Sequence, residues 1–286
     1  MTSRLVAHII DMLRSVRSFT SVAHETGLSL STVIRIFDHV SYPKAKLPEA
    51  LSIDEFKGNT WGEKYQCILT DPVNKRVLDI LPMRYSHYLS QYFKKYPVEE
   101  RQQVKYFVSD MWPYADSASV WFKDAVQIVD KYHWIRQAIW AFEKVRKEEQ
   151  KKLGADLRKY FKRSKRLLTR RFFKLSDEEK QQVNVMLYYS ANLSNAYYFK
   201  EAFLKILDCK DPGNAKKLLC EWIADTECCG LKQFEKCANT IRNWYSGIAN
   251  SFDSSITNGF TEGCNNKIKV LKRNAFGYKN FSRFRK

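Results

Sequence analysis

A chain of 286 residues, 44% hydrophobic and 14% aromatic, can fill a sizeable core and is read as globular, with one large domain or two modest ones. Its 49 Lys and Arg against 31 Asp and Glu leave a net charge of +18, which favours a polyanionic partner, nucleic acid ahead of an anionic membrane. No apolar run approaches the roughly 18 to 20 residues of a membrane span, and the opening MTSRLVAHIIDMLRSVRS is broken by Arg4, His8, Asp11 and Arg14, unlike a signal peptide. The reading is therefore an intracellular, cytoplasmic protein.

The first 40 residues read as three short helices. Within SFTSVAHETGLSLSTVIRIF (18–37), Ala23 is small where two helices cross, Gly27 can take the left-handed turn, and Leu28, Val33 and Ile36 return apolar contacts to a core. That is helix-turn-helix spacing, although an ordinary helical hairpin shares it; the basic charge favours the DNA reading. There the second helix starts near Ser31 and turns Ser29, Ser31, Thr32 and Arg35 toward a groove.

The proline-bounded SYPKAKLP (41–48) reads as a linker. ALSIDEFKG, KYQCILTD and KRVLDILP then read as three antiparallel strands joined by turn signals. A helix follows from about Ser86 to Tyr96, and VKYFVSD (104–110) and AVQIVD (125–130) read as two further strands around a helix at Asp116 to Phe122. This is a layered α/β order. From Trp134 to about Ser255 the pattern is helical. Between Lys144 and Lys174 it is dense in Lys and Arg with Leu157, Tyr160, Phe161, Leu167, Leu168, Phe172 and Phe173 interleaved, which suits a solvated face or a basic groove for phosphates. The seven cysteines form no disulfide framework, and the spacing of Cys220, Cys228, Cys229 and Cys237 is unlike a zinc knuckle.

Three acids sit at the edges of apolar elements: Asp54 in SIDEF, Asp110 in FVSDMW and Glu262 in NGFTEGCNN. Strand alternation sends Asp54 and Glu55 to opposite faces, so only one of them can join a given site. Asp110 lies where a strand gives way to a loop, the place where ligands collect in open α/β sheets. Singly, each acid also suits a turn cap. Together, two Asp and a Glu supply the hard oxygen ligands that Mg²⁺ prefers. Counting from Glu262, helical spacing places Asn265, Asn266, Lys269 and Arg273 on one side, a DNA-facing surface in this reading.

SIDEF, FVSDMWPYA, IVDKYHWIRQA and TNGFTEGCNNKIKVLKR together resemble the DDE transposases of bacterial insertion sequences, in the ISL-three family, over nearly the whole chain. The resemblance implies an α/β fold: a ribonuclease-H-like mixed sheet with a large all-helical insertion, preceded by a small helix-turn-helix module. The implied division is residues 1–40 for that module, 41–48 for the linker, 49–133 with 256–286 for the core, and 134–255 for the insertion. Asp54, Asp110 and Glu262 match the catalytic, metal-binding triad, which implies two Mg²⁺ or Mn²⁺ ions. Asp130 and His133 in DKYH match a supporting D-x-x-H signature, with His133 contacting substrate or supporting the site.

The implied activity is metal-dependent strand cleavage at insertion-sequence ends and attack of the freed 3′-OH on target DNA. Its partners are double-stranded DNA, both ends and target, with no membrane, and the enzyme works as a homo-oligomer on DNA in the nucleoid. Members of the family usually carry a cysteine-rich zinc module ahead of the helix-turn-helix, whereas Met1 lies almost inside the latter, so a truncated copy is expected. One rival is a decayed transposase that only binds DNA. Another is a nuclease of the same fold acting on junctions or RNA hybrids, which would need neither the helix-turn-helix nor the insertion.

Overall fold

The computed structural model describes residues 1–15, 17–60, 62–274 and 280–286. The side chains of Asn59, Thr60, Ala115, Asp116, Tyr160, Lys162 and Arg163 lie outside that description, among them Tyr160 of the basic and aromatic stretch and Asp116 of the helix expected before the last strand. In chain order the elements begin α1 (Ser3–Arg14), α2 (Phe19–Thr26), α3 (Leu30–Asp38), β1 (Ala50–Thr60), β2 (Glu63–Asp71) and β3 (Arg76–Leu81). They continue with α4 (Ser86–Phe93), α5 (Val98–Gln102), β4 (Tyr106–Ser109), α6 (Pro113–Ser119) and β5 (Val126–Val129). Then come α7 (Lys131–Lys152), α8 (Ala155–Arg163), α9 (Lys165–Thr169), α10 (Asp177–Tyr188), α11 (Ala191–Ile206) and α12 (Pro212–Glu227). The last are α13 (Lys232–Asn243), α14 (Tyr245–Asp253), α15 (Gly259–Asn274) and α16 (Phe281–Arg285). The chain divides into two compact units, Met1–Ala125 with Thr257–Lys286, and Val126–Ile256.

In the first unit, α1 to α3 close around Ile9, Met12, Val22, Ala23, Val33 and Ile36, with Leu28 packed at the edge. Gly27 ends α2 with φ +66°, the left-handed conformation that lets the chain reverse into α3. Ser29 caps α3, its hydroxyl accepting the Thr32 amide at 3.2 Å. The second helix thus starts at Leu30, one residue before the expected Ser31, and Ser29 serves the helix terminus. Segment 41–48 is anchored from Lys44 onward. Lys44 lies 3.2 Å from the centroid of the Tyr96 ring, and the buried Leu47 donates its amide to Glu100 at 2.8 Å.

The strands of this unit pair in the order β3-β2-β1-β4. β1 runs antiparallel to β2, with Ser52 opposite Thr70, Asp54 opposite Ile68 and Phe56 opposite Gln66, and β1 runs parallel to β4. Alternation sorts the side chains onto two faces. Leu51, Ile53, Cys67 and Leu69 join Leu89 and Phe93 of α4, Phe107 of β4 and Ala118 of α6 in one core. Phe56 and Ile68 point the other way and pack with Ile268 of α15 and Phe284 of α16. Both faces being covered explains why β2 is buried without interruption from Gln66 to Asp71.

α16 ties distant parts of the unit together. Arg283 makes a two-pronged ion pair with Asp38 at the end of α3, both bonds 2.8 Å, and Arg285 makes another with Asp79 of β3 at 2.6 and 2.7 Å. The Phe284 ring between these arginines sits 6.0 Å from the ring of Phe56.

The second unit consists of β5 and the helices α7 to α14. Its core is aromatic: Trp134 of α7 meets Phe203 of α11 edge-on at 5.6 Å, and Phe203 meets Trp222 of α12 at 4.7 Å. Several cations of the basic stretch are already paired inside this unit: Arg146 with Glu143, Lys152 with Glu149, Arg170 with Glu179 and Arg171 with Asp208. A residue count therefore overstates the positive charge that this stretch offers a phosphate. Among the described residues no helix is long and apolar enough to cross a membrane.

Candidate active site

The parallel pairing sets the level of two acids. Ala50 stands opposite Tyr106, Leu51 opposite Phe107 and Ser52 opposite Val108, a constant offset of 56 that also separates Asp54 from Asp110. Continuing that register two residues beyond Ser52 and Val108 brings Asp110, just past the end of β4, beside Asp54 and on the same face. The charge of Asp110 is felt at Asp54, as this register leads one to expect of acids carried by adjacent parallel strands.

The third acid arrives on α15. A buried chain of small polar groups docks the start of that helix on the sheet. Ser52 donates its hydroxyl to the Asn258 side-chain oxygen, Thr261 bonds Ser52 at 3.1 Å, and Thr70 and Thr261 share a bond of 2.7 Å. Further along, Asn265 bonds Asp54, Ile268 packs on Phe56 and Ile68, and Lys272 donates to the backbone carbonyl of Lys57 at 2.7 Å. Four helical residues rise about 6 Å and two strand residues about 6.6 Å, so the two elements stay in step along this line. Glu262, next to Thr261 in the first turn, is thereby brought to the Asp54 end of the sheet.

Asp54 is 6% exposed. Its Oδ1 accepts the Glu55 amide and its Oδ2 accepts Asn265 Nδ2, each at 2.7 Å. Burial pushes its carboxyl up to about 7; the charges of Asp110, Glu262 and Glu55 add to the rise, and the Glu55 amide opposes it. Glu55 itself turns to the other face and pairs with Arg84, whose guanidinium lies 4.5 Å from the Tyr65 ring centroid. The alternation expected from SIDEF thus separates the two neighbouring acids as anticipated.

The remaining candidates fall in three places. Ser31 and Arg35 are exposed on α3, with Thr32 half-buried beside them. On α15, Asn266, Lys269 and Arg273 are exposed, and Lys269 donates to Asn266 at 3.2 Å. Asn265 departs from the expected DNA-facing row: it is 6% exposed and turned onto Asp54. At about 100° per residue it stands about 60° from Glu262, on the side of the Thr261, Ile268 and Lys272 stripe that faces the sheet. Asp130 and His133 belong to the second unit, where Asp130 caps α7 by accepting the Tyr132 amide at 3.1 Å. Sequence reasoning missed Ser52, Thr70, Asn258 and Thr261. The signal was present in Ser52 sharing the strand face of Asp54, and in Thr261 sharing the helix face of Asn265.

The donor set fits a divalent cation. Burial, and then the charges of Asp110 and Glu262 from two other segments, raise the proton affinity of Asp54, and a hard cation reverses both penalties.

A family model described as "Transposase", for the ISL3 DDE transposases, matches residues 51–286, and one described as "Helix-turn-helix domain of transposase family ISL3" matches residues 1–41. The chain is 25% identical over 287 residues to the transposase for insertion sequence element IS1001 of Bordetella parapertussis, covering 97% of this chain and 70% of that protein. It is 21% identical over 240 residues to the transposase for IS1557 of Mycobacterium tuberculosis, covering 76% of this chain and 54% of that protein. No solved structure matches. With family models spanning the helix-turn-helix and nearly all of the remaining residues, the chain belongs to the ISL3 family of DDE transposases.

Proposed function

We propose that the protein cleaves DNA strands at the ends of an insertion sequence and joins the freed 3′ ends to target DNA, with Asp54, Asp110 and Glu262 as its catalytic, metal-holding carboxylates. The observation that carries this reading is the parallel register of β1 and β4, which sets Asp110 level with the buried Asp54; burial first, then the charges of Asp110 and Glu262, push the Asp54 carboxyl up to about 7, in keeping with acids that share a site. Residues 49–133 with 256–286 are read as a ribonuclease-H-like core, 134–255 as its helical insertion, and 1–40, through the linker 41–48, as the module that recognises the ends. The enzyme acts as an oligomer of identical chains on DNA in the cytoplasm.

Two Mg²⁺ or Mn²⁺ ions held by these carboxylates would supply the positive charge that stabilises the attacking and leaving oxygens of an in-line displacement. The chain's own part is to hold the acids. The Glu55 amide and Asn265 fix both oxygens of Asp54, and the Ser52, Thr261 and Thr70 hydroxyls hold the start of α15 and so the position of Glu262. Exposed Asn266, Lys269 and Arg273 on α15 offer donors and charge to the DNA backbone, while Ser31, Thr32 and Arg35 on α3 read the end sequence.

Asp110→Asn tests the assignment. The substitution is close to isosteric but removes a charge from the cation site, so cleavage of an end substrate in Mg²⁺ should fall at least a thousandfold while gel-shift affinity for the same DNA is kept or slightly raised. A variant that nicks at the wild-type rate would remove Asp110 from the site. A wild-type protein that binds ends but never cuts them in Mg²⁺ or Mn²⁺ would favour a DNA-binding role alone.

A further inference from the structure

We propose that Asn265 is a positioning residue of the carboxylate site: its amide nitrogen clamps Asp54, and its amide oxygen adds a neutral hard-oxygen donor for the cation. The inference rests on the metal-holding role given above to Asp54.

The clamp is direct. Asn265 Nδ2 lies 2.7 Å from Asp54 Oδ2, while the other oxygen of Asp54 is held by the Glu55 amide, so the carboxylate plane is fixed from two sides. An amide N–H to a carboxylate is a charge-assisted bond, and it favours the ionised form that a cation needs. The other end of the same amide is what sets Asn265 apart from a docking residue. Asn265 Oδ1 is buried and accepts no hydrogen bond among the described residues. Leaving a buried carbonyl unsatisfied costs about 1–3 kcal/mol, and a helix that needed only to dock would be better served by an apolar side chain there. Ile268, three residues on, already provides such an anchor against Phe56 and Ile68. A side-chain carbonyl next to converging carboxylates is the neutral ligand that hard cations accept alongside anionic ones. Spacing supports the pairing: Asn265 lies one turn from Glu262, so a single helix delivers both the carboxylate and the group that orients its neighbour.

Mn²⁺ binding to the DNA-free protein, followed by electron paramagnetic resonance or calorimetry, reads this without any turnover. Asn265→Ala should weaken Mn²⁺ binding 10- to 100-fold, the usual cost of losing a group that orients a ligand. Ile268→Val, which loosens the same helix without touching Asp54, should lower the urea midpoint and leave Mn²⁺ affinity within about threefold. Asn265→Ser keeps a small donor and acceptor; it should weaken binding less than Ala does, and it serves in place of Ala if that variant does not fold. Wild-type affinity in both Asn265 variants, with binding lost in Asp54→Asn, would overturn the role of Asn265 and leave the carboxylate site standing. Failure of the wild type to bind Mn²⁺ in an Asp54-dependent way would remove the underlying reading and this inference with it.

Discussion

Asp54→Asn should make the metal-free protein more stable at pH 8. Burial and neighbouring carboxylates push the Asp54 carboxyl up to about 7 in the folded protein, against roughly 3.9 in an unfolded chain. Between about pH 4 and 7 the folded state therefore keeps a proton that the unfolded chain has released, so stability falls as pH rises through that window. About three units at 1.36 kcal/mol each set an upper limit of ~4 kcal/mol on what ionising Asp54 costs above pH 7. The new amide can still be satisfied, because Asn265 can rotate to present its oxygen to the nitrogen of the substituted side chain while the Glu55 amide keeps an acceptor. With relaxation around the site the expected gain is ~1–3 kcal/mol at pH 8. Urea denaturation of both proteins in EDTA at pH 5 and pH 8 measures it, and taking the difference between them cancels other titrations. The gap should shrink by more than half at pH 5, and Mn²⁺ should stabilise only the wild type at this site. A gap that ignores pH, or a variant weaker than wild type at pH 8, would refute the reasoning.

Other outcomes follow from the same contacts. Thr261→Val leaves the buried Ser52 and Thr70 hydroxyls short of a partner and should cost ~1–3 kcal/mol in urea. Arg285→Ala should cost ~1 kcal/mol by releasing α16 from Asp79, and Arg283→Ala should speed hydrogen exchange in α3, to which it binds through Asp38. Arg35→Ala should weaken gel-shift binding to insertion-sequence ends much more than to random duplex; equal losses would reduce Arg35 to a nonspecific charge.

The strands and the site were legible to different depths, for physical reasons. Period-two alternation in ALSIDEFKG placed β1 and set Asp54 and Glu55 on opposite faces, since strand geometry leaves no other outcome. Gly27 marked the turn into α3 because a left-handed residue was needed there. α5 was missed: VEERQ is a single turn whose residues are all at least partly exposed, too short to show a period. Asn265 was misdirected because a residue three positions from Glu262 sits on the border between two helix faces, and only the docking partner decides which way it turns. The ties from Arg283 and Arg285 to Asp38 and Asp79 span more than 200 residues and leave no local pattern to read. Some of the Lys and Arg between 144 and 174 likewise pair with acids from elsewhere in the sequence, which a local count of that stretch does not show.

The central claim is that Asp54, Asp110 and Glu262 hold the metal for DNA strand cleavage. Anomalous diffraction from crystals of the protein bound to an insertion-sequence end and soaked in Mn²⁺ tests it most directly. One or two manganese peaks within roughly 2.0–2.2 Å of oxygens from all three carboxylates are predicted, while peaks ligated elsewhere, or none near Asp54 at saturating Mn²⁺, would contradict it.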